Sequence, residues 1–196
     1  MPELVAWGDE RWASSYGSTV VAVRRAEIAA GTGAALSETV ARQLFKLMTY
    51  KDEYEVARLA LDADMEAKAK ELFGPNAVLS YQLKPPSLKK IGFDKKIAMP
   101  SKVARKTFSS LLKTKRLRGT RMDPFGKSEE RQIEVELIRE YRELVFTLLA
   151  GLRGDTFDRA VEIADLADQI RGFDDVKLEN VRRYRQQVTE ALTALG

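Results

Sequence analysis

Three groups of residues in this chain have the types and spacing that chemistry can use. The first is the run Tyr50-Lys51-Asp52-Glu53-Tyr54-Glu55, where carboxylates and phenols crowd together. Neighbouring carboxylates can share a proton or hold a cation, and Tyr50 and Tyr54 fall on one face of a helix. The second is a basic tract. Residues 84–121 hold thirteen of the 33 Lys and Arg and one of the 29 Asp and Glu, Asp94. The net charge of +4 therefore divides into a segment near +12 and a body near −8. Charge clustered to this degree steers anions or acidic surfaces toward it. The third is Leu117-Arg118-Gly119-Thr120-Arg121-Met122-Asp123-Pro124-Phe125-Gly126, which ends the tract. Two glycines and a proline between helical stretches describe a loop of definite shape rather than a spacer.

Histidine and cysteine are both absent. That removes the imidazole base, the thiol nucleophile, the commonest metal ligands and any disulfide. Acid–base work would fall to carboxylates, Lys, Tyr or a cofactor. The Glu-x-x-His spacing of di-iron bundles cannot occur. Asp52, Glu53 and Glu55 therefore read as partners of Lys46, Lys51 or Arg58, and no catalytic residue or metal ligand is assigned. Gly31-Thr32-Gly33 follows a helix and lacks both the third glycine of a dinucleotide loop and the lysine of a phosphate loop, so it reads as a linker.

At Arg118-Gly119 and Arg171-Gly172, glycine is expected to supply a positive φ or a close backbone approach. Arg171 is expected to bond helix carbonyls. The candidate contacts for an anion or a partner are Lys89, Lys90, Lys95, Lys96, Lys115, Arg116, Arg118 and Arg121, with Phe93 and Phe108 as stacking or packing neighbours. No helix-turn-helix, zinc-finger or RNA-binding aromatic signature accompanies the charge, which argues against nucleic acid.

The elements that must position these groups are mostly helical. Period-3.6 patterns predict a helix over 3–30 and another capped by Ser37, bending through Tyr50 and Tyr54 toward Leu59. A shorter helix over 63–72 stops at Gly74-Pro75. Alternation at Leu79, Tyr81 and Leu83 predicts a strand over 78–83, with 91–97 as its partner. Helical periodicity returns after Pro100-Ser101, from Ser128 to Gly151, from Asp155 or Thr156, and from Asp174 or Asp175 to the end. The expected architecture is one domain over 1–196, mainly α: an irregular bundle of six or seven helices with a small β-hairpin-like basic insertion at 77–100. No apolar run reaches membrane-span length, and the N-terminus lacks a secretory pattern, so a cytoplasmic chain is expected.

Three strings in order carry a resemblance. They are Leu44 to Leu59, which includes the Tyr50–Glu55 run; the Leu117–Gly126 loop; and Ile170-Arg171-Gly172-Phe173 followed by Val176-Lys177-Leu178-Glu179-Asn180-Val181. Together they resemble the C-terminal helical domain of indolepyruvate ferredoxin oxidoreductases, members of the thiamine-dependent 2-oxoacid oxidoreductases. The resemblance implies a protein that oxidatively decarboxylates aryl pyruvates to acyl-CoA and passes electrons through iron–sulfur clusters to ferredoxin. It also implies that thiamine diphosphate, the clusters and coenzyme A sit on other domains, with no cofactor on this chain. The expected role is a non-catalytic assembly or docking module. Its expected partners are the other domains or subunits of the oxidoreductase, and ferredoxin. The alternative is a stand-alone basic helical module that binds RNA or DNA.

Overall fold

The structure is a computed structural model that describes residues 1–61, 63–78, 80–83, 97–172 and 174–195. Lys89, Lys90, Lys95, Lys96 and Phe93, with the predicted strand at 91–96, lie outside the described residues. The described residues are mainly helical, with one small two-stranded sheet. They form two compact units: Met1–Tyr50 with Lys127–Gly196, and Lys51–Gly126. Among the described residues no helix is long and apolar enough to cross a membrane.

The first unit contains α1 (Pro2–Trp7), α2 (Glu10–Ala30), α3 (Ala35–Met48), α7 (Glu129–Ala150), α8 (Phe157–Asp165) and α9 (Asp174–Thr193), with a 3-10 turn at Leu166–Gln169. The predicted helix over 3–30 is in fact broken at Gly8-Asp9. Asp9 caps α2 by accepting the Trp12 amide at 2.7 Å. A Cβ on Gly8 would lie 2.8 Å from Trp12, so only glycine lets the indole lie against the turn. The break allows Trp7 to stack on Trp12, with ring centroids 5.4 Å apart. Both indole N–H groups then donate to carbonyls at the end of α3, Trp7 to Tyr50 at 2.9 Å and Trp12 to Met48 at 3.2 Å. The Trp12 bond thereby satisfies an orphan C-terminal carbonyl of α3.

The start of α3 also departs from expectation. Ser37 is not its cap; it lies inside the first turn and its hydroxyl donates to the Ala34 carbonyl. The cap comes from another helix. Glu27 of α2 is fully buried, and one carboxylate oxygen accepts the Leu36 and Ser37 amides at 2.9 and 3.0 Å. The other oxygen pairs with Arg24 at 3.3 Å, and Arg24 also donates to the Gly33 carbonyl. Gly31, at φ +68°, ends α2 and turns the chain so that Glu27 meets the next helix.

Of the remaining helices, α7 and α9 span the ranges the sequence predicts, while α8 ends at Asp165 and the chain continues as the 3-10 turn to Gln169. Ser128 caps α7 by accepting the Arg131 amide, with Glu129 and Glu130 at the positive end of the dipole. Leu137, Tyr141, Leu144 and Leu148 bury one stripe of α7 against Val40, Leu44, Ile163 and Val181 of the same core. Gly172, at φ +98°, precedes α9. Arg185 joins α9 to Glu136 and Glu140 of α7, and Lys177 joins it to Glu134.

The second unit contains α4 (Glu53–Ala60), α5 (Ala63–Phe73), β1 (Ser80–Leu83), β2 (Ile97–Pro100) and α6 (Ser101–Lys113), with a 3-10 turn at Lys115–Leu117. The strands are antiparallel, with Ser80 opposite Pro100 and Leu83 opposite Ile97. The described partner strand thus runs from Ile97, where the predicted one ends. Tyr81 faces Met99 across the ladder, and both pack on a small core of Ala57, Ala60, Ala104 and Phe108. The Tyr81 ring meets Phe108 edge-on, and its hydroxyl donates to the last carbonyl of α4, Ala60, at 2.6 Å.

Removal of the Glu27 carboxylate should be costly, because it strands two buried amides. Glu27→Ala should lose about 2 kcal/mol in denaturant unfolding followed by the Trp7 and Trp12 fluorescence. Glu27→Gln, which keeps an acceptor, should lose less. An unchanged midpoint for Glu27→Ala would contradict the cap.

Candidate functional site

The Tyr50–Glu55 run does not assemble as an open carboxylate site. Asp52 is the N-cap of α4 and accepts the Glu55 amide at 2.7 Å. Glu55 pairs with Arg58 one turn on, through two contacts of 2.9 and 2.8 Å. That pairing was expected. The partner of Asp52 was not. It is Arg118, which straddles the carboxylate with Nη2 2.7 Å from Oδ1 and Nε 2.6 Å from Oδ2. The Arg118 side chain is 9% exposed and the Asp52 side chain 2%.

Around this pair the loop folds onto α4. The Arg118 guanidinium lies 5.2 Å from the centroid of the Tyr54 ring. Tyr54 is buried, and its hydroxyl donates to Asp123 Oδ1 at 3.2 Å. Burial first, and the Asp123 charge second, push the Tyr54 phenol up to about 12, so it stays protonated and able to donate across the ordinary pH range. Asp123, itself buried, accepts the Gly119 amide at 2.9 Å and the Phe125 amide at 3.0 Å. Gly119 sits at φ +71°, the left-handed conformation expected of it. Phe125 meets Tyr54 edge-on at 5.4 Å. It is half-buried rather than sunk in a core.

Every described candidate contact lies on this loop or the turn before it. Lys115 is half-buried, and burial followed by the Arg118 charge lowers the pKa of its ammonium. Arg116 and Arg121 are exposed and have no ion-pair partner among the described residues. Arg118 is committed to Asp52. Phe108 is buried between α4 and the strands, so it packs rather than stacks. Lys106 and Lys113, which were not among the candidate contacts, are also exposed, on α6. Their spacing of seven residues, two helical turns, was the available signal. From Ser101 to Arg121 the chain has eight Lys and Arg and no acid. The resulting surface can attract an anionic group or an acidic partner.

Elsewhere the charged clusters are internally paired. Arg171 donates to the Asp168 carbonyl and carboxylate, the carbonyl-bonding role expected of it. Arg42 and Gln43 both donate to Asp165 at 2.8 Å, and Lys46 donates to the Ala167 carbonyl at 2.7 Å. An open groove of about 520 Å³ between α8 and α9 has Ile163, Leu166 and Ala191 in its lining. Its rim residues Arg159 and Glu162 pair with each other at 2.8 Å. Among the described residues no group of three or more His, Cys, Asp or Glu could hold a metal ion.

These features define the class: a mainly helical protein whose second unit carries a basic helix and a tightly anchored arginine loop. The chain belongs to a family of unknown function, DUF6537, whose profile matches residues 1–190. No curated protein and no solved structure matches it.

Breaking the buried pair from one side should be severe. Arg118→Met leaves the Asp52 carboxylate buried without its cation and should cost about 3 kcal/mol. Asp52→Asn in the same chain should recover part of that loss, because the stranded charge is removed. Additive losses in this double-mutant cycle would contradict a coupled pair.

Proposed function

We propose that this chain is a helical accessory module of an indolepyruvate-type, thiamine-dependent 2-oxoacid oxidoreductase, and that it docks rather than catalyses. The reading rests on the three ordered strings and on one observation above all. The exposed cations of the second unit stand on a helix and a loop with no acid between Ser101 and Arg121, while the buried acids nearby are already bonded. A surface so one-sided favours an acidic neighbour. That neighbour is another domain or subunit of the oxidoreductase, or ferredoxin. Thiamine diphosphate, iron–sulfur clusters and coenzyme A would be held by those other domains, and the module would hold the assembly together.

Mixed with the remaining domains of such an enzyme, the chain should associate at low ionic strength and release as salt rises past the screening range. Reversing Lys106 and Lys113 to Glu should weaken association by roughly tenfold at low salt, the effect of a few exposed charge pairs made repulsive. No association at low salt would refute the assignment. Submicromolar binding to an oligonucleotide with a steep salt slope would instead favour a stand-alone nucleic-acid module.

A further inference from the structure

The loop that follows α6 alternates between residues turned inward and residues turned outward. Arg118, Asp123 and Phe125 are turned in and engaged with Asp52 and Tyr54. Arg116, Arg121 and Met122 are turned out. Met122 is 75% exposed at the tip, directly beside Arg121.

A solvated turn is ordinarily built from polar residues, Gly and Pro, and gains nothing from a thioether in water. Met and Arg are, however, two of the residue types enriched at protein interfaces, where Lys is depleted. Met is unbranched and polarizable, so it fills pockets of irregular shape. The surrounding charge fixes the sign of the other side, because eight cations with no acid from Ser101 to Arg121 repel a basic surface and attract an acidic one.

Nucleic acid fits this tip less well. Binding to single strands uses aromatic faces for base stacking. Both phenylalanines of this stretch are taken up: Phe108 is 4% exposed in the small core, and Phe125 is edge-on to Tyr54. A methionine adds nothing to a phosphate contact.

The loop is also set in advance. Asp123 ties down the amides of Gly119 and Phe125, Arg118 is clamped on Asp52, and Gly119 holds a positive φ. A partner therefore meets a formed surface and need not order the backbone on binding.

We propose that Lys115–Phe125 is a preorganised recognition loop for a folded protein surface with an acidic rim around an apolar pocket. Met122 enters the pocket, and Arg116 and Arg121 pair with the rim. This deepens the docking role above and rests on it, since it takes the partner to be acidic.

The test uses the full chain and three labelled probes read by fluorescence anisotropy. Two are peptides of equal length and equal negative charge, one of Glu and Ser only, the other with Leu and Phe at its centre. The third is a single-stranded oligonucleotide. The native chain should prefer the apolar-centred peptide by roughly tenfold, the effect of burying one exposed apolar side chain. Met122→Ser should abolish that preference and leave the Glu-Ser peptide unaffected; Arg116→Glu with Arg121→Glu should weaken both. All three positions are exposed, so folding should survive. Equal binding of the two peptides, or a preference that survives Met122→Ser, would overturn the recognition loop and leave the basic docking role standing. No binding of either peptide would overturn both. Tightest binding to the oligonucleotide, unchanged by Met122→Ser, would overturn a protein partner in favour of nucleic acid.

Discussion

The clamp of Arg118 on Asp52 is the constraint from which the second unit takes its functional shape. A carboxylate and a guanidinium this deeply buried give up most of their hydration, and their attraction roughly offsets that cost. What the pair supplies is geometry. Asp52 has to sit at the N-terminus of α4 to accept the Glu55 amide, and the same Oδ1 accepts from Arg118 Nη2 while Oδ2 lies against Nε. Residues 66 apart in sequence are thereby fixed together. Tyr54, Asp123, Gly119 and Phe125 then have defined positions, and the cations that flank them point outward.

The first unit uses the same device in a different place. Glu27 of α2 caps α3, as Asp52 caps α4, and each carboxylate is also paired with an arginine. Among the described residues the buried acids Glu27, Asp52, Glu55 and Asp123 all accept from backbone amides, a tyrosine or an arginine. In a chain without His or Cys, carboxylates are the most versatile polar groups at hand. Here they are built into helix ends and loop anchors, with their oxygens already bonded, which is the opposite of a carboxylate poised to take a proton from a substrate. Lys106, Lys113, Arg116 and Arg121, exposed on α6 and the loop, have no ion-pair partner among the described residues. The polar interior and the basic surface thus divide the work between architecture and attraction.

Local chemistry was legible in the sequence, and long-range chemistry was not. The cap at Ser128, the stop at Gly151, the end of α5 before Gly74-Pro75 and the positive φ of Gly119 and Gly172 all depend on a few adjacent residues. The definite shape of the Leu117–Gly126 loop was visible for the same reason. Ser37 was misread because its rival for the α3 amides, Glu27, lies ten residues upstream on another helix. The break at Gly8-Asp9 was missed because the apolar period runs on through it; the stacking of two tryptophans outweighs continuity of the helix. The cluster at Asp52 was correctly read as ion-paired, and Arg58 does serve Glu55, but Arg118 was not among the partners expected for it. No spacing rule connects Asp52 to Arg118. In the sequence they are separate features, one acid in a crowded run and one arginine beside a glycine, and only the fold joins them.

Buried charge, and not basicity alone, holds the loop in its shape. Native-state hydrogen exchange at the Gly119 and Phe125 amides measures this directly, since both donate to the buried Asp123. Both amides should exchange slowly and lose protection together when Arg118 is replaced by Met, because the clamp and the Asp123 anchor then open as one unit. Exchange at the rate of an unstructured chain in the native protein would show that the loop is a flexible spacer, and the preorganised surface built on it would not exist.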